Sequence, residues 1–307
     1  MFADQLDKRI TTTSSLLCAG FDPIWEWFPA FARAQASQHT SQEDFLHKIL
    51  MTTFESALEV LSDTVACVKP NAGFFEQFGV GGYRALRDIS LLCKGAEIPV
   101  ILDAKRGDIG STAQAYANAY LEPIAVCGAS IDIIHADALT VNPFLGFETL
   151  APFVSACVTQ GKGLFVLVKT SNPGSSDIQS LTSADGLETV AETIARFVDR
   201  EGKSTIGQSG FSSIGAVVGA TYPSEANRLR SLMPRAYFLV PGFGTQGGSA
   251  AESLAGLTSP RKGVIVNMSR GLFQIDPSLP RIDWIEELAR RVADANHQLL
   301  QAADACR

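Results

Sequence analysis

Eight short apolar segments, each ending in polar residues or glycine, recur along the 307-residue chain. The stretches between them have helical spacing of apolar residues, as in DFLHKILMTTFESALEVL from Asp44 to Leu61. Apolar strands that alternate with amphipathic helices are typical of a parallel sheet covered by helices, and a count of eight favours closure into a barrel. We therefore predict an α/β fold, a (β/α)₈ TIM barrel that forms a single domain over residues 1–307, with additional N-terminal and C-terminal helices. The predicted strands are Leu16–Asp22, Val65–Asn71, Val100–Lys105, Ala138–Asn142, Leu164–Thr170, Gly215–Thr221, Tyr237–Gly242 and Gly263–Arg270.

Two of the predicted connections between strands are long. One runs from Pro23 to Thr64 and holds more than one helical stretch, and the other runs from Ser171 to Ile214. The second begins SNPGSSDIQSLTSADG, which is rich in Ser, Gly and Asp. Long loops at the rim of a fold often carry function, so we predict a mobile flap there. The stretch WIEELARRVADANHQLL from Trp284 predicts a final amphipathic helix.

Composition narrows the function classes. The formal net charge of −7 and the lack of a run of five basic residues argue against binding to nucleic acid or to anionic membranes. The chain does not begin with an apolar core of signal-peptide length, and no segment approaches roughly 18 consecutive apolar residues, which predicts a cytoplasmic protein without a membrane span.

The six cysteines are scattered without a C-x-x-C pair, which predicts reduced thiols in the core. The four histidines are equally dispersed, so we predict neither a metal site nor a His-based triad.

The stretch VILDAKRGDIGSTA from Val100 places a cluster of charge at the end of the third predicted strand. Asp103 and Lys105 are two residues apart, which puts an acid and a base on one face of a strand. Gly107 allows a tight turn, and Ser111 or Thr112 is suited to cap the helix that follows. The carboxyl ends of parallel strands are where ligands gather, although a structural ion pair at a strand end is the alternative. The four ionisable residues are Asp103, Lys105, Arg106 and Asp108.

Polar residues also follow the other predicted strands, and parallel strands bring them to the same barrel mouth. They include Asp22, Lys69, Ser171, Gln246 and Arg270. The loop PGFGTQGG after the seventh strand has four glycines, whose backbone N–H groups can approach an anion. Arg270 follows the eighth strand, where barrels often bind phosphate. Taken alone, the glycine-rich loop is also explained as a tight turn, and Arg270 as an ordinary surface arginine. Their joint position after the seventh and eighth strands predicts a phosphorylated substrate.

One of these motifs resembles a known family. DAKRGDIGSTA at Asp103–Ala113 resembles the D-x-K-x-x-D signature of orotidine 5′-phosphate decarboxylase, and its flanking residues are similar to the bacterial type 2 subgroup. The segments GFDP, VKPNAGFFEQFG, DALTVNPFLG, VLVKTSNPGS, VVGATYP, VPGFGTQGG and NMSRG resemble that subgroup in the same order. The resemblance extends from Gly20 to Gly271. Its departures, a longer connection CGASIDIIHA before Asp137 and a different loop after Ser176, remove no site residue.

The resemblance implies the conversion of orotidine 5′-monophosphate (OMP) into uridine 5′-monophosphate (UMP) and CO₂ in pyrimidine biosynthesis, without a cofactor. Loss of the carboxylate leaves a localised carbanion at C6, which needs a cation beside it and then a proton. Lys105 is implied as the proton donor, and Asp103 would position its ammonium and keep it charged. Lys69 and Asp108 would complete an alternating charge network. Asp108 and Thr112 are implied to come from the partner subunit of a homodimer with shared active sites.

The same resemblance implies how the nucleotide is held. Asp22 and Lys69 would bind ribose hydroxyls, and Ser171 would read the pyrimidine edge. The phosphate ligands would be Gln246, Arg270 and the amides of Gly247 and Gly248. Asp22 before a proline and Ser171 in its loop also fit plain turn-forming roles, which are common for these residue types.

Two alternative functions remain open. One is a magnesium-dependent sugar-phosphate decarboxylase or aldolase of the same superfamily. Lys69 argues against it, since a lysine cannot serve as the acidic metal ligand that such enzymes place there. The other alternative is a catalytically silent nucleotide-binding protein, which fold alone cannot exclude.

Overall fold

Short strands and helices alternate along the computed structural model, which describes residues 1–38, 41–220, 223–244, 247–258 and 261–305. The strands are β1 (Leu17–Phe21), β2 (Cys67–Pro70), β3 (Ile101–Arg106), β4 (Ile124–Val126), β5 (Ala129–Ile131), β6 (Ala138–Val141), β7 (Gly163–Lys169), β8 (Ser212–Val218), β9 (Ala236–Val240) and β10 (Val264–Met268). The helices are α1 (Phe2–Thr13), α2 (Ala30–Ala36), α3 (Gln42–Leu61), α4 (Ala72–Glu76), α5 (Gly79–Gly95), α6 (Gly110–Tyr120), α7 (Ala151–Gln160), α8 (Ser176–Gln179), α9 (Val190–Gly202), α10 (Pro223–Leu232), α11 (Ala250–Ser253), α12 (Arg270–Phe273) and α13 (Arg281–Ala305).

Eight of the strands form one parallel sheet in the order β2-β1-β10-β9-β8-β7-β6-β3. The two strands at the ends of this order, β2 and β3, are joined by the parallel bridges Val68–Val100 and Asn71–Asp103. The sheet therefore closes on itself. This confirms the predicted (β/α)₈ barrel, and all eight predicted strands are present, with ends shifted by a few residues.

Helix α1 covers the amino-terminal end of the barrel. The ring of Phe2 packs edge-on against Phe165 of β7, with the ring centroids 5.9 Å apart. Gly163, the first residue of β7, lies so close to this helix that an added Cβ would be 2.3 Å from Cδ1 of Phe2. Because one end of the barrel is filled in this way, the opposite end, where the strands terminate, is the place for a site.

The antiparallel hairpin of β4 and β5 is a feature that the sequence pattern did not predict. It occupies the long connection before Asp137. Its turn residues Cys127 and Gly128 both have positive φ, 51° and 80°, as a two-residue hairpin turn requires. The side chains of Val126 and Ile131 are 41% and 40% exposed, so no buried face marked these strands in the sequence.

The cysteines follow the prediction of core thiols with one exception. Cys18, Cys67, Cys93 and Cys157 are buried and free, whereas Cys127 in the hairpin turn is exposed. Burial raises the pKa of the Cys93 thiol to about 12, which keeps it protonated near neutral pH. Cys306 lies outside the described residues.

Two further predictions concern helix ends. Helix α13 confirms the predicted final helix, and Trp284 in its first turn is fully buried. The predicted cap of α6 was wrong, because Ile109 occupies the N-cap position without a side-chain hydrogen bond. Ser111 and Thr112 lie inside the first turn, where their side chains cannot cap it. Among the described helices, none combines the length and apolar character needed to cross a membrane.

Candidate active site

Strand β3 carries an irregularity at the residues that the sequence singled out. Its register against β6 shifts between Leu102 and Arg106, and Lys105 adopts the left-handed conformation with φ 48°. A residue with a Cβ rarely adopts this backbone conformation, and holding it there costs roughly 1–3 kcal/mol. The backbone N–H of Lys105 donates to Oγ1 of Thr140, 2.9 Å away on β6. Strain of this kind persists where neighbouring structure enforces it, and it is commonest at functional sites.

Asp103 lies at the centre of a buried charge cluster. Lys69 Nζ of β2 donates to its Oδ2 at 2.8 Å, and Lys105 Nζ donates to its Oδ1 at 2.6 Å. Oγ1 of Thr140 donates to the same Oδ1 at 2.9 Å. The structure thus brings together three of the four predicted catalytic residues, Lys69, Asp103 and Lys105, and adds Thr140 as their support.

The members of the cluster differ in exposure. Lys69 is 4% exposed and Asp103 9%, whereas the side chain of Lys105 is 49% exposed at the mouth of the barrel. Burial alone would lower the pKa of Lys69, but the charges of Asp103 and then Asp22 raise it well above its usual range. Burial alone would raise the pKa of Asp103, but Lys69 and then Lys105 hold it well below its usual range. The cluster therefore presents two fixed charges behind one accessible ammonium.

Asp22 follows β1 at the same mouth. Its Oδ2 accepts a hydrogen bond from Ser269 Oγ at 2.6 Å. Its Oδ1 is buried and has no hydrogen-bond partner within the part of the chain that the structure describes. A buried, unpaired carboxylate oxygen is costly, and such an atom calls for a specific explanation. A ligand that donates a hydrogen bond to Oδ1 would provide one.

Asp108 and Thr112 stand apart from the cluster. Thr112 is exposed and Asp108 is half-buried, and Asp108 Oδ1 accepts from the backbone N–H of its neighbour Ile109 at 2.8 Å. Among the described contacts, Asp108 makes no ion pair with Lys69 or Lys105. Asp108 therefore lies outside the charge cluster of its own barrel.

The predicted phosphate ligands follow β9 and β10. Arg270 is exposed and begins α12. The N–H of Gly247 donates to the carbonyl of Gly244 at 3.0 Å, and the N–H of Gly248 donates to the carbonyl of Gly242 at 3.1 Å. In this conformation both amides are thus used inside the loop. Gln246 lies outside the described residues.

Ser171 is half-buried after β7, in a loop held by residues that the sequence analysis missed. The backbone N–H of Thr170 donates to Oε1 of Gln179 at 2.8 Å, and Nε2 of Gln179 donates to Thr170 Oγ1 at 2.9 Å. Lys169, which is 1% exposed, donates to Ser180 Oγ at 2.8 Å and lies 3.1 Å from Glu225 Oε2. The Thr170 and Lys169 hydrogen bonds tie the end of β7 to the end of helix α8. No pattern in the sequence marks Gln179, whereas Lys169 lies near the end of a predicted strand, as Lys69 does.

Metal ligation has little support in this region. The described residues contain no group of three His, Cys, Asp or Glu side chains that could hold a metal ion. Beside Asp103, the neighbouring positions are filled by two ammonium groups, which cannot act as ligands to a cation.

The chain is thus a closed (β/α)₈ barrel with a Lys–Asp–Lys cluster at the carboxyl ends of its strands. Comparison with known sequences shows to which family this barrel belongs. Residues 15–277 match the family model described as Orotidine 5′-phosphate decarboxylase / HUMPS family. The chain belongs to this family.

Individual relatives are similar over nearly the whole chain. The orotidine 5′-phosphate decarboxylase of Rhodopirellula baltica is 42% identical over 307 residues, covering 97% of this chain and 98% of its own. The protein of the same name from Caldicellulosiruptor bescii is 40% identical over 272 residues, or 88% of either chain. Among solved structures, the OMP decarboxylase of Leishmania donovani is 30% identical, with a TM-score of 0.71 over 99% of this chain and 98% of that one.

Proposed function

We propose that this chain is a cofactor-independent orotidine 5′-phosphate decarboxylase, a carboxy-lyase that converts OMP to UMP and CO₂ in pyrimidine biosynthesis. The observation that carries the proposal is the cluster of Lys69, Asp103 and Lys105, in which two buried charges hold an accessible ammonium. Family membership supports the same reaction. The cytoplasmic location and the single-domain organisation expected from the sequence stay predictions.

Lys105 would perform the proton transfer. The bond between C6 and the carboxylate breaks, CO₂ leaves, and the electron pair remains on C6, where no adjacent carbonyl delocalises it. The ammonium of Lys105 lies at the open mouth, so it can stabilise this charge and then give C6 its proton. Lys105 would recover a proton from water after UMP leaves.

Asp103 and Lys69 would keep the cluster in its working protonation state. Because the two lysines lower the pKa of Asp103 against the effect of burial, the carboxylate does not take the proton that C6 requires. Because Asp103 and Asp22 raise the pKa of Lys69 against burial, Lys69 stays charged and fixes Asp103 from behind. Contacts within the protein orient both groups, which reduces the reorganisation that the reaction requires.

The remaining residues would bind the nucleotide. Asp22, through its unpaired Oδ1, and Lys69 would hold ribose hydroxyls, and Ser171 would read the pyrimidine edge. Arg270, Gln246 and the Gly247 and Gly248 amides would bind the phosphate. The two glycine amides must turn away from their present carbonyl partners to do so, which means that phosphate binding would rearrange this loop. Binding energy from the remote phosphate would then drive loop closure over the reacting ring.

Asp108 and Thr112 would act in the partner's site of a homodimer. The surface around them has the apolar character of an interface, because Ile109 is 63% exposed and Phe144 and Leu145 are 72% and 49% exposed. The loops that carry these residues meet, since a Cβ on Gly107 would lie only 2.7 Å from the carbonyl oxygen of Asn142. A two-fold axis at this surface would bring each Asp108 toward the other chain's mouth.

The direct test is to add OMP to the purified protein with a chelator present and to follow the fall in ultraviolet absorbance. We expect full turnover, with the Lys105→Ala variant as the inactive control. Turnover that disappears with the chelator and returns with Mg²⁺ would favour the magnesium-dependent relatives. Binding of OMP without turnover would favour the silent nucleotide-binding alternative.

A further inference from the structure

We propose that Ser269 is a positioning residue that orients Asp22 toward the ribose of the substrate, an inference that rests on the proposed function. Ser269 Oγ donates to Oδ2 of Asp22 at 2.6 Å, a short contact of the kind that a charged acceptor makes. The other oxygen, Oδ1, is buried without a partner in the described chain. The hydroxyl restrains one oxygen, which limits rotation of the carboxylate about its Cβ–Cγ bond and so favours one direction for the free oxygen.

The packing of β1 against the end of β10 makes this contact close. Gly20 lies two residues before Asp22, and a Cβ added to it would be 2.9 Å from Cβ of Ser269 and 2.7 Å from Oδ1 of Asn267. A side chain at position 20 would therefore push Ser269 away. The glycine lets Ser269 approach the strand that carries Asp22.

Ser269 also begins the helix that presents the proposed phosphate ligand. It occupies the N-cap position of α12, and its carbonyl accepts from the N–H groups of Leu272 and Phe273, each at 3.0 Å. Arg270 is the next residue along the chain. One residue thus links the ribose contact through its side chain and the phosphate contact through its backbone. An alanine at this position keeps the backbone contacts and removes only the hydroxyl.

The experiment measures inhibition of decarboxylation by UMP, 2′-deoxyUMP and 3′-deoxyUMP. The parent should bind UMP more tightly than at least one deoxy analogue, since Asp22 then has a ribose hydroxyl to accept from. In Ser269→Ala, UMP should weaken about tenfold, equivalent to about 1.4 kcal/mol, while that deoxy analogue changes little. A general loss of structure would weaken the binding of all three nucleotides together. The ratio of the affinity for UMP to the affinity for that deoxy analogue therefore reports the positioning of Asp22.

Three further variants make the result specific. Ser269→Thr keeps the hydroxyl and should restore the ratio. Ser278→Ala removes a matched serine–aspartate hydrogen bond, 2.7 Å from Ser278 Oγ to Asp276 Oδ1 at an exposed turn, and should leave the ratio unchanged. Asp22→Asn should lower the ratio by itself, and adding Ser269→Ala to it should have no further effect, because the serine acts through Asp22.

The outcomes separate this inference from the proposed function. If the parent decarboxylates OMP and binds UMP more tightly than a deoxy analogue, but Ser269→Ala keeps the same ratio of these affinities, the inference is wrong while the proposed function stands. Equal affinity of the parent for all three nucleotides would also overturn it. Absence of decarboxylation by the parent would instead contradict the proposed function.

Discussion

Replacement of Lys105 should abolish turnover while leaving the protein folded, and the structure allows both effects to be quantified. The side chain is 49% exposed and Asp103 keeps its contacts with Lys69 and Thr140, so Lys105→Ala should lower the free energy of unfolding by only about 0–1 kcal/mol. Loss of the cation and of the proton donor should lower kcat by at least roughly a thousandfold, or about 4 kcal/mol.

The backbone of Lys105 supplies a matched variant. At φ 48°, a residue with a Cβ is disfavoured by roughly 1–2 kcal/mol, a cost that glycine avoids while it loses roughly 0.5–1 kcal/mol through the entropy of the unfolded chain. Lys105→Gly should therefore be as stable as Lys105→Ala or more stable, by about 0–1.5 kcal/mol, and equally inactive. An inactive protein with undiminished stability would separate catalysis from folding.

The assay is OMP turnover in parallel with urea unfolding. Lys8→Ala is the control, since Lys8 lies on α1 at the other end of the barrel with a side chain that is 78% exposed. Activity of Lys105→Ala within roughly tenfold of the parent, a change of only about 1.4 kcal/mol, would refute the assigned role. Unfolding of both variants would refute the reasoning on stability.

Three other substitutions test separate parts of the site. Asp103→Asn leaves buried Lys69 uncompensated and should cost about 3–5 kcal/mol in unfolding experiments. Burial favours the neutral acid, but Lys69 and then Lys105 lower the pKa of Asp103. The contribution of Asp103 to the free energy of unfolding is therefore present above its unfolded pKa of roughly 3.9 and is lost as pH falls through the folded value. The difference in stability between parent and Asp103→Asn should shrink in acid, and a constant difference would contradict this. Arg270→Ala should weaken binding of UMP but not of uridine in a calorimeter, whereas equal losses would make Arg270 structural. Thr140→Val removes the hydroxyl that bonds Asp103 and the N–H of Lys105 and should lower kcat about tenfold, a role that an unchanged kcat would exclude.

The barrel could be predicted from sequence because its strands are buried on both faces. In β1 and β8 every residue is buried, so each strand reads as a continuous apolar run that stands out from the helices. The β4–β5 hairpin gives no such signal, because it is short and five of its six strand residues are exposed. Pattern reasoning thus finds elements that build the core and misses those that do not.

The site shows the same division. Lys69, Asp103 and Lys105 could be placed together because each ends or nearly ends a strand, and parallel strands end at one mouth. Thr140 and Ser269 act through contacts with residues distant in sequence, 37 and 247 positions away, which only the folded chain reveals. The positive φ of Lys105 was equally hidden, since no glycine marked it.

The measurement that tests the central account most directly is complementation between two inactive variants. The account combines Lys105 of one chain with Asp108 of the other, and among the described contacts the half-buried Asp108 makes no ion pair with the lysines of its own cluster. Lys105→Ala and Asp108→Asn should each be nearly inactive. After equal amounts exchange subunits at random, half the dimers are mixed and one of their two sites is intact, so roughly a quarter of parental OMP turnover should return. No recovery, once exchange is confirmed independently, would contradict a site shared between subunits.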